Sequence, residues 1–388
     1  MFNSTSFAQL LKPLRQPFNQ YTARHQSDKY SKGFSSWQQL VAMVYAQFNG
    51  LTSLRQITDS FNAKSSHHYH LGVKSISKST LAEANGKKSP EPYIELCNLL
   101  IAQANSRLLK KELKQFTYLI DSSPIQLLGH GFEWAPRGSR VKGMKLHLQL
   151  ELSQKLPKHF EITTADHVDV YFGHKMTIEK GSKYIFDAGY NHYGWWHKIH
   201  KSKATFITRP HRNAAYKVVN EQFSQSKPSS NILQDKKIHL NSKTALIKAN
   251  PGINTMKLRR IEIDRPDKTK SLILITNDFD LSAEEIADLY KSRWEIELFF
   301  KWIKQRLKIK HFIGRTENAV KIQLLTALIA YLLIKLEHSR SAKPQEVTLG
   351  KLWIETVSTL FFRPKSEDYY RKRKEAQQEY DKLQLSLL

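Results

Sequence analysis

The stretch Tyr290-Lys291-Ser292-Arg293-Trp294-Glu295-Ile296-Glu297, running on to Lys304, sets four polar side chains at offsets of 0, 3, 7 and 14 residues. In a helix each residue advances about 100°, so Tyr290, Arg293, Glu297 and Lys304 fall near 0°, 300°, 340° and 320°, one arc of roughly 60°. Trp294, Ile296, Leu298, Phe299, Trp302 and Ile303 occupy most other directions. A helix so apolar is expected to be buried, and a buried charge needs a partner or a metal. One acid beside three groups that suit phosphate is a site-like arrangement. The plainer reading is an intrahelical ladder, Arg293 to Glu297 at i,i+4.

Outward from this stretch, Ser282 and Glu285 form a capping box, and the helix they open is expected to run to about residue 308. Upstream the texture is that of strands. Phe116-Thr117-Tyr118-Leu119-Ile120 is β-branched and aromatic and runs into Asp121. Residues 144–152 alternate, 160–164 form a third strand, and 168–178 read as helix. Tyr184-Ile185-Phe186 ends on Asp187; a helix to about residue 203 and a strand at 205–208 follow. The order is three strands, helix, strand, helix, strand, with acids closing the first and fourth strands. Loops at strand ends are where α/β sheets gather reactive groups. Between about 210 and 278 the pattern is short strands (216–220, 237–240, 257–264, 271–276) separated by Pro, Ser, Asn and Gly, read as a β-rich insertion.

The first hundred residues read as helical, with helices expected at about 36–45 (closed by Asn49-Gly50), 53–61 and 91–111. The first two could be a helix-turn-helix DNA reader or a plain packing unit. The expected division is a helical N-terminal domain at 1–112, with possible DNA-end binding. An α/β core follows at 113–342, and a charged tail at 343–388, within which 363–384 read as a solvated helix or partly disordered.

Composition narrows the class. The 388 residues carry 61 Lys plus Arg against 35 acids, a net charge of +26, which favours a polyanion partner. Residues 191–270 hold 17 Lys or Arg against five acids, read as a phosphate-facing surface. The single Cys97 excludes an internal disulfide and a Cys-built zinc site, and suits a reducing cytoplasm. No secretory signal is expected from the first residues, and the apolar run 322–336 falls short of the about 20 residues that span a bilayer. No Walker-type phosphate loop is present, so no ATP requirement is expected.

The pattern Tyr290-x2-Arg293-x3-Glu297-x6-Lys304 resembles the signature of DDE transposases of the insertion-sequence-4 family. Ile120-Asp121-Ser122-Ser123 and Phe186-Asp187-Ala188-Gly189-Tyr190 are similar to the contexts of that family's two aspartates, with Ser122 where Gly is frequent. The resemblance covers residues 116–336, and residues 1 to about 80 resemble an uncharacterised domain found on some members. It implies a ribonuclease-H-like core in which Asp121, Asp187 and Glu297 are catalytic and hold two Mg²⁺ ions, with Mn²⁺ able to substitute. Asp121 would bridge the ions, and Tyr290, Arg293 and Lys304 would bind DNA. The implied reaction is metal-dependent strand cleavage and strand transfer in cut-and-paste transposition of an insertion sequence. The implied partners are double-stranded DNA, as terminal inverted repeats and target, and a second copy of the chain on paired ends. The resemblance implies no membrane partner and a place of action in the bacterial cytoplasm, at the nucleoid. The alternatives are a nuclease on the same core without strand transfer, and a catalytically inert DNA-binding derivative.

Three further groups are weaker. Tyr193, Trp195 and Trp196 are either platforms for a flipped base or core aromatics. His67, His68 and His70 lack the acid or Cys of a metal site and read as a solvated loop. Glu133 and Asp166 fit the carboxylate contexts less well than Asp121 and Asp187.

Overall fold

The computed structural model describes residues 4–109, 115–138, 141–211, 214–220, 231–241, 251–266, 269–306, 311–340 and 347–362. Their contacts divide into two units. One gathers the described residues of Met1–Leu96, Phe312–Gly314 and Ile322–Leu388, the other those of Cys97–His311 and Arg315–Lys321.

The N-terminal helices are α1 (Ser6–Arg24), α2 (Ser36–Asn49), α3 (Leu54–Asn62), α4 (His68–Leu71), α5 (Lys78–Lys87) and α6 (Glu91–Leu109). Helix α1 forms although Pro13 and Pro17 lie inside it, because Phe7, Leu11, Leu14 and Phe18 share one buried stripe. Ser35 and Gln38 make a capping box on α2, which ends at Gly50 with φ +62°. Every residue of α2 from Ser36 to Phe48 is buried. It is a core helix, whereas α3 buries Ile57, Thr58 and Phe61 and leaves Arg55, Gln56 and Asp59 exposed. His68 is buried too, stacked on Phe61 at 4.3 Å with Nε2 bonded to the Phe61 carbonyl, so this histidine is not in a solvated loop.

The second unit is built on a mixed sheet. Its strands are β1 (Thr117–Gln126), β2 (Gly143–Glu151), β3 (Leu156–Thr164), β4 (Lys183–Phe186), β5 (Thr205–Thr208), β6 (Tyr216–Asn220), β7 (Ile232–Leu240), β8 (Leu258–Ile263) and β9 (Leu272–Thr276). Their order is β3-β2-β1-β4-β5-β9-β8-β7-β6. Strands β1, β2 and β3 form an antiparallel meander, and β4 and β5 run parallel to β1. That is the ribonuclease-H-like arrangement. Helix α7 (Val170–Lys175) precedes β4, and α8 (Tyr193–Lys201) links β4 to β5. Phe172, Trp195, Trp196 and Ile199 pack with Tyr118, Ile120, Tyr184 and Phe186 in one apolar cluster.

The strands of 210–278 do not form a body of their own. Strand β9 pairs antiparallel with β5, and β8, β7 and β6 continue outward, so they extend the same sheet. Pairing β5 in this way covers a row of backbone donors and acceptors that an edge would expose. Nor is the basic run of this region wholly a surface. Arg259 is fully buried and pairs with Asp235 at 2.6 Å, while Arg260 pairs with Glu262.

The expected long helix after Ser282 is two, α9 (Ala283–Lys291) and α10 (Trp294–Arg306), with Ser292 and Arg293 as the turn between them. Helix α11 (Glu317–Arg340) is longer than the expected apolar run 322–336. By length and composition it could cross a membrane, and 89% of its most apolar window is buried, as in a core helix. Helix α12 (Leu349–Thr359) packs on α2, with the Trp353 and Phe48 rings 5.1 Å apart. The segment expected as a tail thus supplies a helix to the first unit; the notional solvated helix at 363–384 lies outside the described residues.

Candidate active site

The sheet itself brings the two aspartates together. The parallel pairing of β1 with β4 ends at Ile120↔Phe186, and the next residues are Asp121 and Asp187. Adjacent strands lie about 4.8 Å apart, so the two acids are lateral neighbours. Tyr118 and Ile120 enter the apolar cluster beneath α7 and α8. Side chains alternate along a strand, so Asp121 points to the opposite face; α10 packs against β1.

Arg293 joins that strand to the helix. Its Nη2 donates to Glu297 Oε1 at 2.7 Å, and its Nη1 stands 3.5 Å from Asp121 Oδ2. The Tyr290 ring lies beneath the guanidinium, 5.9 Å from centroid to Cζ. Lys304 Nζ donates to the Pro124 carbonyl at 2.8 Å, tying α10 to the strand that carries Asp121. Glu297 and Lys304, seven residues apart in α10, share a face as expected. Tyr290 and Arg293 do not sit on that helix, and the single arc over all four residues is corrected accordingly. The turn at Ser292–Arg293 swings the guanidinium onto both carboxylates. The ladder from Arg293 to Glu297 is real, and it is also part of the cluster.

Electrostatics report the same convergence. The Asp121 carboxyl is pushed up to about 7, by burial first and then by Asp187 and Glu297, against the Ser122 N–H and Arg293. Burial pushes the Tyr190 hydroxyl well above its ordinary range, helped by Asp121, Asp169 and Asp187. Asp187 is fixed from below: Oδ1 accepts from Gly189 N at 2.8 Å, and its carbonyl accepts from Thr208 Oγ1.

Asp169, just before α7, also reaches this end of the site. Its Oδ1 accepts from Ser122 Oγ at 3.0 Å and Lys145 Nζ at 3.1 Å, and His147 Nδ1 is 3.8 Å away. Burial pushes His147 down to about 4, leaving it neutral at pH 7. No motif marks Asp169; only the register Ser122↔His147 between β1 and β2 draws this group together. Arg209, exposed just past β5, is likewise unmarked by a motif: its charge is felt at Tyr290. Trp195 and Trp196, by contrast, are 0% and 1% exposed in the apolar cluster. As placed they are core aromatics with no face for a base, and Tyr193 packs half-buried beside them.

Among the described residues, no three carboxylate, imidazole or thiol groups form a preassembled metal cage. Arg293 lies against two of the acids instead. The donor set nonetheless suits a hard divalent cation: three oxygen acids, with a mutual repulsion at Asp121 that such a charge would relieve.

A ribonuclease-H-like sheet with acids on neighbouring parallel strands, and a glutamate on the helix packed against them, suits metal-assisted phosphodiester chemistry. A family model described as "Transposase DDE domain" matches residues 115–333, more than half of the chain, and the chain belongs to that family. It is a DNA transposase, an enzyme of metal-dependent DNA cleavage and strand transfer. A second model, a domain of unknown function (DUF4372), matches residues 2–74. "Putative transposase y4zB" of Sinorhizobium fredii is 39% identical over 258 residues, covering 66% of this chain and 70% of the relative. "Probable transposase for insertion sequence element IS5377" of Geobacillus stearothermophilus is 27% identical over 269 residues, 68% of this chain and 69% of that one. Among solved structures, a piggyBac transposase synaptic complex with hairpin DNA is 11% identical, with a TM-score of 0.48 over 93% of this chain and 79% of that chain.

Proposed function

We propose that this transposase works by the cut-and-paste route of the insertion-sequence-4 family, with Asp121, Asp187 and Glu297 as ligands of two Mg²⁺ ions, Mn²⁺ being able to substitute. The observation that carries the reading is Arg293, shared by Asp121 and Glu297, while Asp187 is Asp121's neighbour across the sheet. Bound divalent ions supply activation of the attacking oxygen and stabilisation of the leaving one at phosphorus. The chain's own groups bind and orient. Arg293, backed by the Tyr290 ring, offers a planar fork that matches phosphate oxygens. Lys304 brings a second positive charge to the end of β1. In cleavage, water attacks phosphorus and the bond to the 3′ oxygen breaks; in strand transfer that 3′-hydroxyl attacks a target phosphodiester and expels its 3′ oxygen. The substrate is double-stranded DNA, held as paired terminal repeats by a homodimer, in the bacterial cytoplasm at the nucleoid.

The test is cleavage of a labelled duplex bearing the element's terminal repeat, with Mg²⁺ or Mn²⁺, comparing wild type with Asp121→Ala, Asp187→Ala and Glu297→Ala. Metal-dependent cutting at the repeat end should disappear in all three variants while DNA binding persists. Undiminished cutting in any one removes that residue from the site. Joining of a pre-cut end to target DNA should occur with wild type, and its absence would leave a nuclease.

A further inference from the structure

The N-terminal unit carries an exposed feature that the site described above does not use. Residues 29–33 are all exposed, and Tyr30 is 89% exposed. Tyr30 also has φ +65°, in the left-handed region that a bulky residue rarely adopts. Gln26 has φ +48° and Gly33 +84°, so the backbone turns three times through that region within eight residues. Backbone strain of this kind persists only where surrounding contacts impose it.

Those contacts are present. Lys88, with a side chain only 8% exposed, pairs with Asp28. Its Nζ also donates to Phe34 O at 3.0 Å and Ser31 Oγ at 3.2 Å. Asp28 Oδ1 in turn accepts from Ser36 N and Ser36 Oγ, both at 2.7 Å. Backbone bonds from Lys29 N to Gln26 O and from Ser31 N to Asp28 O complete two tight turns. An ion pair whose Lys88 end is buried thus braces the loop while its one large ring stands in solvent. Lys29 Nζ sits 5.3 Å from that ring. The loop borders a groove of about 750 Å³ lined also by Lys32, Lys87 and Ser89, with Glu83 as its acid, paired to Lys87 at 2.7 Å.

We propose that residues 26–33 and this groove are a DNA contact of the N-terminal unit, Tyr30 stacking on a base or sugar while Lys29, Lys32 and Lys87 meet backbone phosphates. An aromatic held outward at a steric cost gains nothing within its own unit, and a π-face flanked by lysines fits a stacked nucleotide with its phosphates. DNA is the nucleic acid because the enzyme acts on DNA. The inference rests on the transposase reading and deepens it, by assigning a surface to the unit whose family model carries no function.

The test is fluorescence anisotropy with the full chain in EDTA, where no cutting occurs. The probes are a duplex carrying the terminal repeat, a scrambled duplex and a single-stranded RNA of equal length. Tyr30→Ala and Tyr30→Gly should weaken duplex binding about 5- to 50-fold, and Tyr30→Phe should retain it. Lys29→Ala with Lys32→Ala should lower the salt slope by about 2. The Tm of Tyr30→Gly should not fall, because Gly meets no steric penalty at this φ. Unchanged affinity and salt slope would overturn the proposal, as would an effect of Tyr30→Ala confined to the RNA probe. Failure here would be distinct from failure of the active-site reading: carboxylate variants should bind DNA as wild type does in this assay, and Tyr30 variants keep the three acids.

Discussion

Replacing Asp121 by Asn should make the metal-free protein more stable, and only above a particular pH. Asp121 is 16% exposed, beside Asp187 and Glu297, and its carboxyl is raised from an ordinary 3.8 to about 7. Well below 3.8 it is protonated in folded and unfolded chains alike, so it adds no pH-dependent term. Between 3.8 and about 7 the unfolded chain has released a proton that the folded chain keeps. Stability therefore falls as pH rises through that window, by roughly 1.4 kcal/mol per pH unit at most. Above about 7 both states are ionised and the full cost, roughly 4 kcal/mol, is present. Asn keeps the neutral form's shape and its acceptor for the Ser122 N–H. In urea unfolding followed by tryptophan fluorescence in EDTA, Asp121→Asn should gain roughly 4 kcal/mol over wild type at pH 8. That gain should shrink to within about 1 kcal/mol near pH 4.5. Added Mg²⁺ should then stabilise wild type and not the variant. A difference that stays constant across pH, or has the opposite sign, would refute the reasoning.

Arg259→Ala removes the guanidinium from a buried pair with Asp235 and should cost about 3–5 kcal/mol in urea unfolding. Arg259→Met combined with Asp235→Leu should recover most of that loss. Gly189→Ala sets a methyl 3.0 Å from Asp187 Oδ1 and 3.5 Å from Asp169 Oδ2. Its repeat-end cleavage should fall by about tenfold or more, with Tm within about 2 °C of wild type, because small misplacements at a reacting centre are costly. Trp196→Ala should destabilise the fold by about 3–5 kcal/mol, measured as a lower unfolding midpoint; a base-stacking platform would instead lose a DNA step at unchanged stability.

Much of the site was legible because each piece has a local signature. The apolar runs 117–120 and 184–186 each lead into an acid, and the Ser282 capping box announces a helix; Asp187 does close β4, whereas β1 continues through Asp121 to Gln126 because β2 pairs with it along that length. The break between α9 and α10 was not legible: Tyr290 to Lys304 keeps helix-forming residues throughout, and only packing against β1 selects the turn at Ser292–Arg293. Helix α1 hid for the opposite reason, since two prolines argue locally against a helix that tertiary burial nevertheless supports. The strands from β6 to β9 were legible one by one, whereas their fusion to β5 depends on a pairing between distant segments.

By itself the sequence determined the class of this protein: its acids, their order, the strand and helix periods around them, and a positive charge suited to DNA. Those properties depend on neighbours a few residues apart, where geometry is nearly independent of the rest of the chain. Only the tertiary structure decided that Arg293 would lie against both Asp121 and Glu297, that Asp169 would join them through Ser122, and that Arg259 would be buried. Such contacts depend on sheet register and helix packing, which bring together residues far apart in the chain and leave no periodic trace in it.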